Sequence, residues 1–73
     1  MPKIVVIRNR IKQLREQQKM TQIELAQNSG CTRQTIIMLE QERYVPSLAL
    51  AFAVAQSLNC KLEEVFFAEK QEG

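Results

Sequence analysis

Apolar residues recur every three or four positions along most of the chain, which is the spacing of one face of an α-helix. The central stripes are Leu25, Ala26 and Ser29, followed by Ile36 and Leu39. This spacing predicts two short helices that meet at Ser29-Gly30. Gly30 can adopt the positive φ that ends one helix and turns the chain sharply into the next.

Residues that cap helices stand where these two helices are expected to begin. Thr21 precedes the first of them, and Glu24 three positions later completes a capping box. Thr32 offers a hydroxyl to the second, which is predicted from about Arg33 to Gln41. Two helices joined by so tight a turn, here at about 21–41, are the sequence form of a helix-turn-helix. The second helix of that motif enters the major groove of DNA.

The remaining pattern predicts three more helices. Asn9 is a plausible cap for a first helix that runs to about Gln18. After a loop from Glu42 to Pro46, Ser47 caps a fourth helix from Leu48 to Leu58. This helix is apolar nearly all round, so we expect it in the core or partly in a subunit interface. A final short helix spans about Leu62 to Val65.

The two ends of the chain predict a small sheet. Lys3 to Ile7 (KIVVI) is rich in β-branched residues and lacks a helical period, which indicates a strand. Because a lone strand is not stable, we predict that it pairs antiparallel with Phe66 to about Glu69, within one subunit or across a dimer. The alternative is that Ile4 to Ile7 extends the first helix. The predicted fold class is all-α, with five helices and a two-stranded terminal sheet.

The 73 residues are expected to form one domain, 1–73, without a separate catalytic domain. The net charge of +2 is a weak argument for nucleic acid, but the charge is unevenly distributed. Up to Lys19 the only acid is Glu16, against the basic residues Lys3, Arg8, Arg10, Lys12, Arg15 and Lys19. From Ser47 onward there are two basic residues against four acids, Glu63, Glu64, Glu69 and Glu72. A positive face opposite a negative end favours phosphate binding, although an ordinary solvated helix face is the alternative.

Other classes of function find little support. The longest apolar run, Leu48 to Ala55, is too short for a membrane span, which needs about twenty residues, and no export signal is evident. We therefore expect a cytoplasmic protein with free thiols. Cys31 and Cys60 lack nearby partners for a zinc site, so no metal or cofactor is predicted, and no enzyme. Cys31 is expected to be a small buried residue; a redox-sensing thiol is the alternative.

The chain resembles the Cro-like phage-repressor helix-turn-helix family, also called xenobiotic-response-element-like regulators, and within it a subgroup of small dimeric bacterial repressors. The matching residues are Ile11–Arg15, Thr21-Gln22, Glu24–Ala26, Thr32–Ile36, Leu39-Glu40, Tyr44, Pro46–Leu48 and Leu62–Phe66. The resemblance implies a five-helix repressor-like DNA-binding domain. Three residues depart from the pattern. Ile37 replaces a small polar residue, Glu42 stands where glycine is frequent, and Lys61 stands where Ser, Thr or Pro often begins the last helix.

The resemblance also implies roles for individual residues. The positions that face the DNA groove are Thr32, Arg33, Gln34, Ile37 and Met38. The positions that contact phosphate are Gln22, Arg43 and Tyr44, to which the charge pattern adds Arg10 and Lys19. Gln22 would also brace the first recognition side chain, and Arg15 and Glu40 match a partly buried ion pair.

The side chains on the groove face have chemistry suited to reading bases. Arg33 can pair with guanine, Gln34 with adenine or a phosphate, and Ile37 can pack on a thymine methyl group. The alternative for Arg33 is a phosphate contact without base reading. For Ile37 the alternative is packing against the second helix.

One recognition helix covers few base pairs, so we expect a homodimer on a near-palindromic operator with half-sites roughly 34 Å apart. The candidate interface residues are Leu50, Phe52, Val54, Phe66 and Phe67. The alternative, expected for at least half of them, is that they fill the monomer core. The expected function is a transcriptional regulator that represses by occluding a promoter, with no small-molecule effector. The alternative is an antitoxin, or another protein-interaction module, that binds a protein partner and regulates its own operon.

Overall fold

In the computed structural model, which describes residues 5–70, the chain forms five helices and two strands. In chain order they are β1 (Val5–Asn9), α1 (Ile11–Gln17), α2 (Gln22–Ser29), α3 (Arg33–Glu40), α4 (Leu48–Ser57), α5 (Leu62–Val65) and β2 (Phe66–Lys70). Lys3 and Ile4 of the predicted first strand, and Glu72 of the acidic end, lie outside the described residues. The predicted fold, five helices with a two-stranded antiparallel sheet, is confirmed.

Three helices end one residue earlier than the sequence pattern predicted. The first ends at Gln17, the third at Glu40 and the fourth at Ser57. The reason lies in the backbone just beyond them, where a residue with positive φ turns the chain away. These residues are Lys19 (56°), Glu42 (61°) and Asn59 (54°), while Gly30 (76°) ends α2 as predicted.

The same hydrogen-bond pattern closes each of these four helices. After α3, the Glu42 N–H donates to the Leu39 carbonyl at 3.0 Å. The next amide, that of Arg43, donates to the Met38 carbonyl at 3.1 Å. This pair of bonds defines the Schellman motif, which satisfies carbonyls that the helix leaves without a partner. Only α2 uses glycine for it, so the sequence signals only that one helix end clearly.

The helix starts follow the predicted caps, with one correction. Thr21 and Glu24 form the full capping box, with hydrogen bonds of 3.0 and 2.9 Å. Ser47 and Thr32 each accept a backbone N–H at 3.1 Å. Asn9, however, is the last residue of β1, and Arg10 occupies the N-cap position of α1. The Asn9 side chain still accepts the Ile11 N–H at 3.1 Å, so it satisfies this donor from one position further back.

The core lies between the helices and includes one residue or more from each of them. Its fully buried residues are Ile11, Leu25, Ile36, Leu39, Val54, Leu58 and Val65. Helix α4 contributes less of its surface to this core than its composition predicted. Ala51, Val54 and Ala55 are buried, but Leu48 is 67% exposed and Phe52 is 47% exposed. An apolar side of α4 therefore faces solvent.

The two strands pair antiparallel within one chain. Their register runs from Val5 opposite Lys70 to Asn9 opposite Phe66. This pairing excludes the alternative of an extended α1 for Val5 to Ile7, the described part of the range Ile4 to Ile7. The Arg10 N–H donates to the Val65 carbonyl at 2.9 Å, which fixes the sheet to the start of α1 and the end of α5.

Candidate nucleic-acid interface

Helix α3 has one buried side and one exposed side. Ile36 and Leu39 have no exposed surface and anchor the helix in the core. Arg33 and Gln34 are exposed near its N-terminus, and Ile37 and Met38 are half-buried further along. Among the described residues, neither Arg33 nor Gln34 makes a side-chain hydrogen bond within the chain. Their hydrogen-bonding groups are therefore available to a ligand.

Thr32 stands at the start of this surface and already has a structural task. Its hydroxyl accepts the Thr35 N–H at 3.1 Å and lies 2.9 Å from the Thr35 hydroxyl. The side chain is exposed, but its oxygen is engaged in capping α3. Thr32 thus fixes where α3 begins.

A nearly buried ion pair holds α3 against α1. The Arg15 guanidinium and the Glu40 carboxylate form two parallel hydrogen bonds, of 2.7 and 3.2 Å. The side chains of Arg15 and Glu40 are only 10% and 6% exposed. The hydrogen bond that Arg15 donates to the Glu40 carboxylate raises the pKa of Arg15, and burial opposes this shift. Arg15 also donates to the Met20 carbonyl at 3.0 Å, so the pair reaches the turn before α2.

Gln22, the first residue of α2, joins the same cluster. Its amide donates to Glu40 at 3.1 Å and is half-buried. This hydrogen bond ties the start of α2 to the last residue of α3, so Gln22 helps to orient α3. That Gln22 also braces the first recognition side chain stays a prediction from the resemblance.

The candidate phosphate contacts differ in their surroundings. Lys19 is exposed in the turn between α1 and α2, and Arg43 and Tyr44 are exposed just after α3. The guanidinium of Arg10, in contrast, lies over the Phe67 ring, 4.3 Å from its centre. This contact directs Arg10 towards β2, so its guanidinium is less available to a phosphate than the side chains of Lys19 and Arg43.

The sequence interpretation missed a polar cluster at the end of α3. The Glu42 carboxylate accepts the Arg8 Nε–H, with both oxygens at 2.9 Å, and also the Asn9 N–H at 2.9 Å. The Asn9 amide donates to the Leu39 carbonyl at 2.8 Å. The only sequence signal was the replacement of a frequent glycine by Glu42. Nothing in the sequence identified Arg8 as its partner, because the two residues are joined only by the fold.

The candidate dimer interface requires one correction. Val54 has no exposed surface because it lies at the centre of the core, so it cannot contact a second subunit. Leu50 and Phe66 are half-buried against the core, whereas Phe52 and Phe67 are exposed.

The sequence interpretation also missed an open groove of about 240 Å³. Its lining residues are Ile7, Val45, Pro46, Leu48, Ala51, Leu62 and Phe66.

The two cysteines are both free and half-buried. Burial raises the pKa of the Cys31 thiol, which disfavours the thiolate that redox sensing requires. The Cys60 thiol donates to the Leu58 carbonyl at 3.3 Å. In residues 5–70 no three potential metal-ligating side chains come together, and no helix there is long and apolar enough to cross a membrane.

A tight turn between α2 and α3, and a third helix with an exposed polar side, define a helix-turn-helix domain. Residues 11–65 match the helix-turn-helix family, which covers all five helices. The chain therefore belongs to the Cro/C1-like helix-turn-helix family of transcriptional regulators, whose members bind double-stranded DNA.

Similar proteins cover nearly the whole domain. An uncharacterised HTH-type transcriptional regulator of Archaeoglobus fulgidus is 44% identical, over 90% of this chain and 93% of the relative. The regulator YgzD of Bacillus subtilis is 37% identical, over 89% and 98%. The immunity repressor of Bacillus phage phi105 is 33% identical, and the match spans 50% of that protein. A crystal structure of a putative DNA-binding protein from Bacteroides fragilis superposes with a TM-score of 0.75 at 28% identity, over 84% of this chain and 98% of that one.

Proposed function

We propose that this protein binds a specific double-stranded DNA sequence as a homodimer in the cytoplasm, is not an enzyme, and represses transcription by occluding a promoter. The main support for the proposal is that α3 is held firmly on one side and exposed on the other. Its Arg33-Gln34 side is exposed, while its other side is fixed by the core and by the Arg15–Glu40 pair. A rigidly held helix presents its side chains to DNA without a large ordering cost.

Base reading is assigned to the exposed side of α3. Arg33 donates two parallel hydrogen bonds to guanine, and Gln34 pairs with adenine or contacts a phosphate. Ile37 supplies an apolar contact for a thymine methyl group. Thr32 and Met38, at either end of this side, complete the proposed base contacts.

Phosphate binding is assigned to exposed groups that flank α3. Lys19, Arg43 and Tyr44 are exposed, and Gln22 lies at the start of α2. The amino ends of α2 and α3 add backbone N–H groups that favour an anion. Because such contacts release counterions, the binding constant falls steeply as salt is added.

The dimer is assigned to the apolar surface around α4. Phe52, Leu48 and Val45 are exposed, and the last two line the groove that also includes Leu62 and Phe66. The occupant that we propose is a second copy of the chain, because a two-fold dimer doubles the short site that one helix can read. Phe67 is also exposed and remains a proposed member of the interface. An antitoxin would use the same surface for another protein.

Selection of bound sequences from random DNA tests this function. We expect an enriched near-palindrome with half-sites about one helical turn apart, and an affinity that drops steeply between about 50 and 200 mM salt. Failure to enrich any sequence, or an affinity that barely responds to salt, would remove the proposed function. Sedimentation of the same protein with and without the selected DNA tests the dimer. A monomer in both samples would exclude it.

A further inference from the structure

Glu42 has a backbone conformation that favours glycine, yet it carries a side chain that makes specific contacts. Its φ of 61° is in the left-handed region, which is costly for a residue with a Cβ atom. A glycine would close the Schellman turn without this cost. In return, the Glu42 carboxylate accepts hydrogen bonds from Arg8 and from the Asn9 backbone, at 2.9 Å in each case. The turn after α3 is thereby tied to β1.

The position of Glu42 creates an electrostatic problem for DNA binding. It directly precedes Arg43 and Tyr44, the residues to which we assign phosphate contacts. A free carboxylate at this place would repel the DNA backbone. Arg8 is the cation in contact with it, and Arg8 also donates from Nη1 to Glu69 on β2 at 2.8 Å. Arg8 thus lies between Glu42, in the turn after α3, and Glu69, on β2.

The geometry points to Arg8 as a positioning residue for DNA binding. We propose that Arg8 holds the Glu42 carboxylate against β1 and neutralises it, so that Arg43 and Tyr44 meet the phosphates without a competing negative charge. The inference rests on the proposed function and adds a role for the sheet. Through this ion pair, β1 positions the turn after α3, and the sheet does not need to touch the DNA.

A double-mutant comparison tests the role of Arg8. Binding to the selected operator is measured for Arg8→Gln, Glu42→Gln and the double variant, at low and moderate salt. Arg8→Gln is expected to weaken binding roughly threefold, since it leaves one unit charge close to the phosphates. Glu42→Gln should bind at least as well as the wild type, and the double variant should match Glu42→Gln. Arg8→Lys, which keeps the positive charge, should restore most of the affinity.

Three results would overturn the proposal. If Arg8→Gln weakened binding equally in the wild-type protein and in the Glu42→Gln variant, Arg8 would itself contact a phosphate. No weakening in the wild-type background would mean that the pair has no effect on binding. A loss that follows the thermal stability of the variants and ignores salt would make the role purely structural. Glu69→Gln is the matched control, because it removes the other partner of Arg8 and should leave affinity within about twofold.

Failure of this inference is distinct from failure of the proposed function. If the wild-type protein enriches an operator and Arg8→Gln binds it normally, only the role of Arg8 is wrong. If the wild-type protein enriches no sequence, both are wrong.

Discussion

The Nε of Arg15 lies 2.7 Å from Oε2 of Glu40, and its Nη2 lies 3.2 Å from Oε1, so two helices distant in sequence share one paired contact. Arg15 belongs to α1, and Glu40 is the last residue of α3. Gln22 of α2 adds a third hydrogen bond to the same carboxylate. The orientation of the recognition helix is thus set by a polar cluster as well as by the apolar core.

Removing one partner of this pair should be strongly destabilising. We expect Glu40→Ala to lower the free energy of unfolding by about 3 kcal/mol, because it leaves the nearly buried Arg15 charge without an anionic partner. Arg15→Met combined with Glu40→Leu should recover much of the loss, since no unpaired charge remains. Urea unfolding measures both effects. A loss below about 0.5 kcal/mol for Glu40→Ala, typical of an exposed pair, would contradict this assignment.

Gly30 should resist substitution for a purely conformational reason. A Cβ atom built at Gly30 meets no atom within 4 Å, so Gly30→Ala adds no clash. The positive φ of 76° remains unfavourable for alanine, and we expect a loss of about 1 kcal/mol in stability. Asn59→Gly is the matched control, since it places glycine at another positive φ and should be neutral or slightly stabilising. Thermal unfolding measures the stability of both variants. An unchanged stability for Gly30→Ala would contradict the expected conformational cost.

The capping box of α2 should make stability depend on pH in the acid range. Hydrogen bonds from Thr21 hold the pKa of Glu24 below its ordinary value. The stabilisation is therefore present above the pKa of Glu24 in the unfolded chain, and it is lost as the pH falls through the lower folded pKa. Glu24→Gln can still accept the Thr21 N–H but does not titrate there. Melting temperatures measured from neutral to acid pH should thus fall less steeply for Glu24→Gln, and identical slopes would contradict the account.

The exposed apolar side of α4 should control the state of association. We expect Phe52→Glu to shift the protein towards monomer and to weaken operator binding, because it places a charge in the proposed interface. Ile23→Glu is the control, since Ile23 is 53% exposed but lies on α2, away from the groove. Analytical ultracentrifugation compares the two variants. A dimer that survives Phe52→Glu, or one that Ile23→Glu disrupts equally, would place the interface elsewhere.

The sequence allowed the elements to be predicted well, because they depend on local patterns. Thr21, Thr32 and Ser47 cap helices at the predicted places, and Gly30 ends α2. The ends of α1, α3 and α4 were placed one residue too late. Lys19 and Glu42, which close α1 and α3, have side chains rarely found at positive φ, so no local signal marks those two ends. Asn59, which closes α4, is a weaker signal than glycine.

Contacts between distant segments could be predicted only in part. The Arg15–Glu40 pair followed from the family resemblance, but the partner of Glu42 did not, because Arg8 meets it only once the sheet has formed. Val54 was assigned to an interface because composition alone cannot tell the core side of an apolar helix from its exposed side. Burial in the folded chain makes that distinction.

The base-reading role of Arg33 is the centre of the functional proposal, and one comparison tests it most directly. Binding of Arg33→Ala and Arg43→Ala, which each remove one arginine, is measured on a set of single-base variants of the selected operator. Arg33→Ala should lose about 1–3 kcal/mol of binding free energy on the intact operator. It should also cease to discriminate between bases at one base pair of each half-site. Arg43→Ala should weaken all sequences equally. Uniform weakening by Arg33→Ala as well would show that α3 does not read bases through this residue.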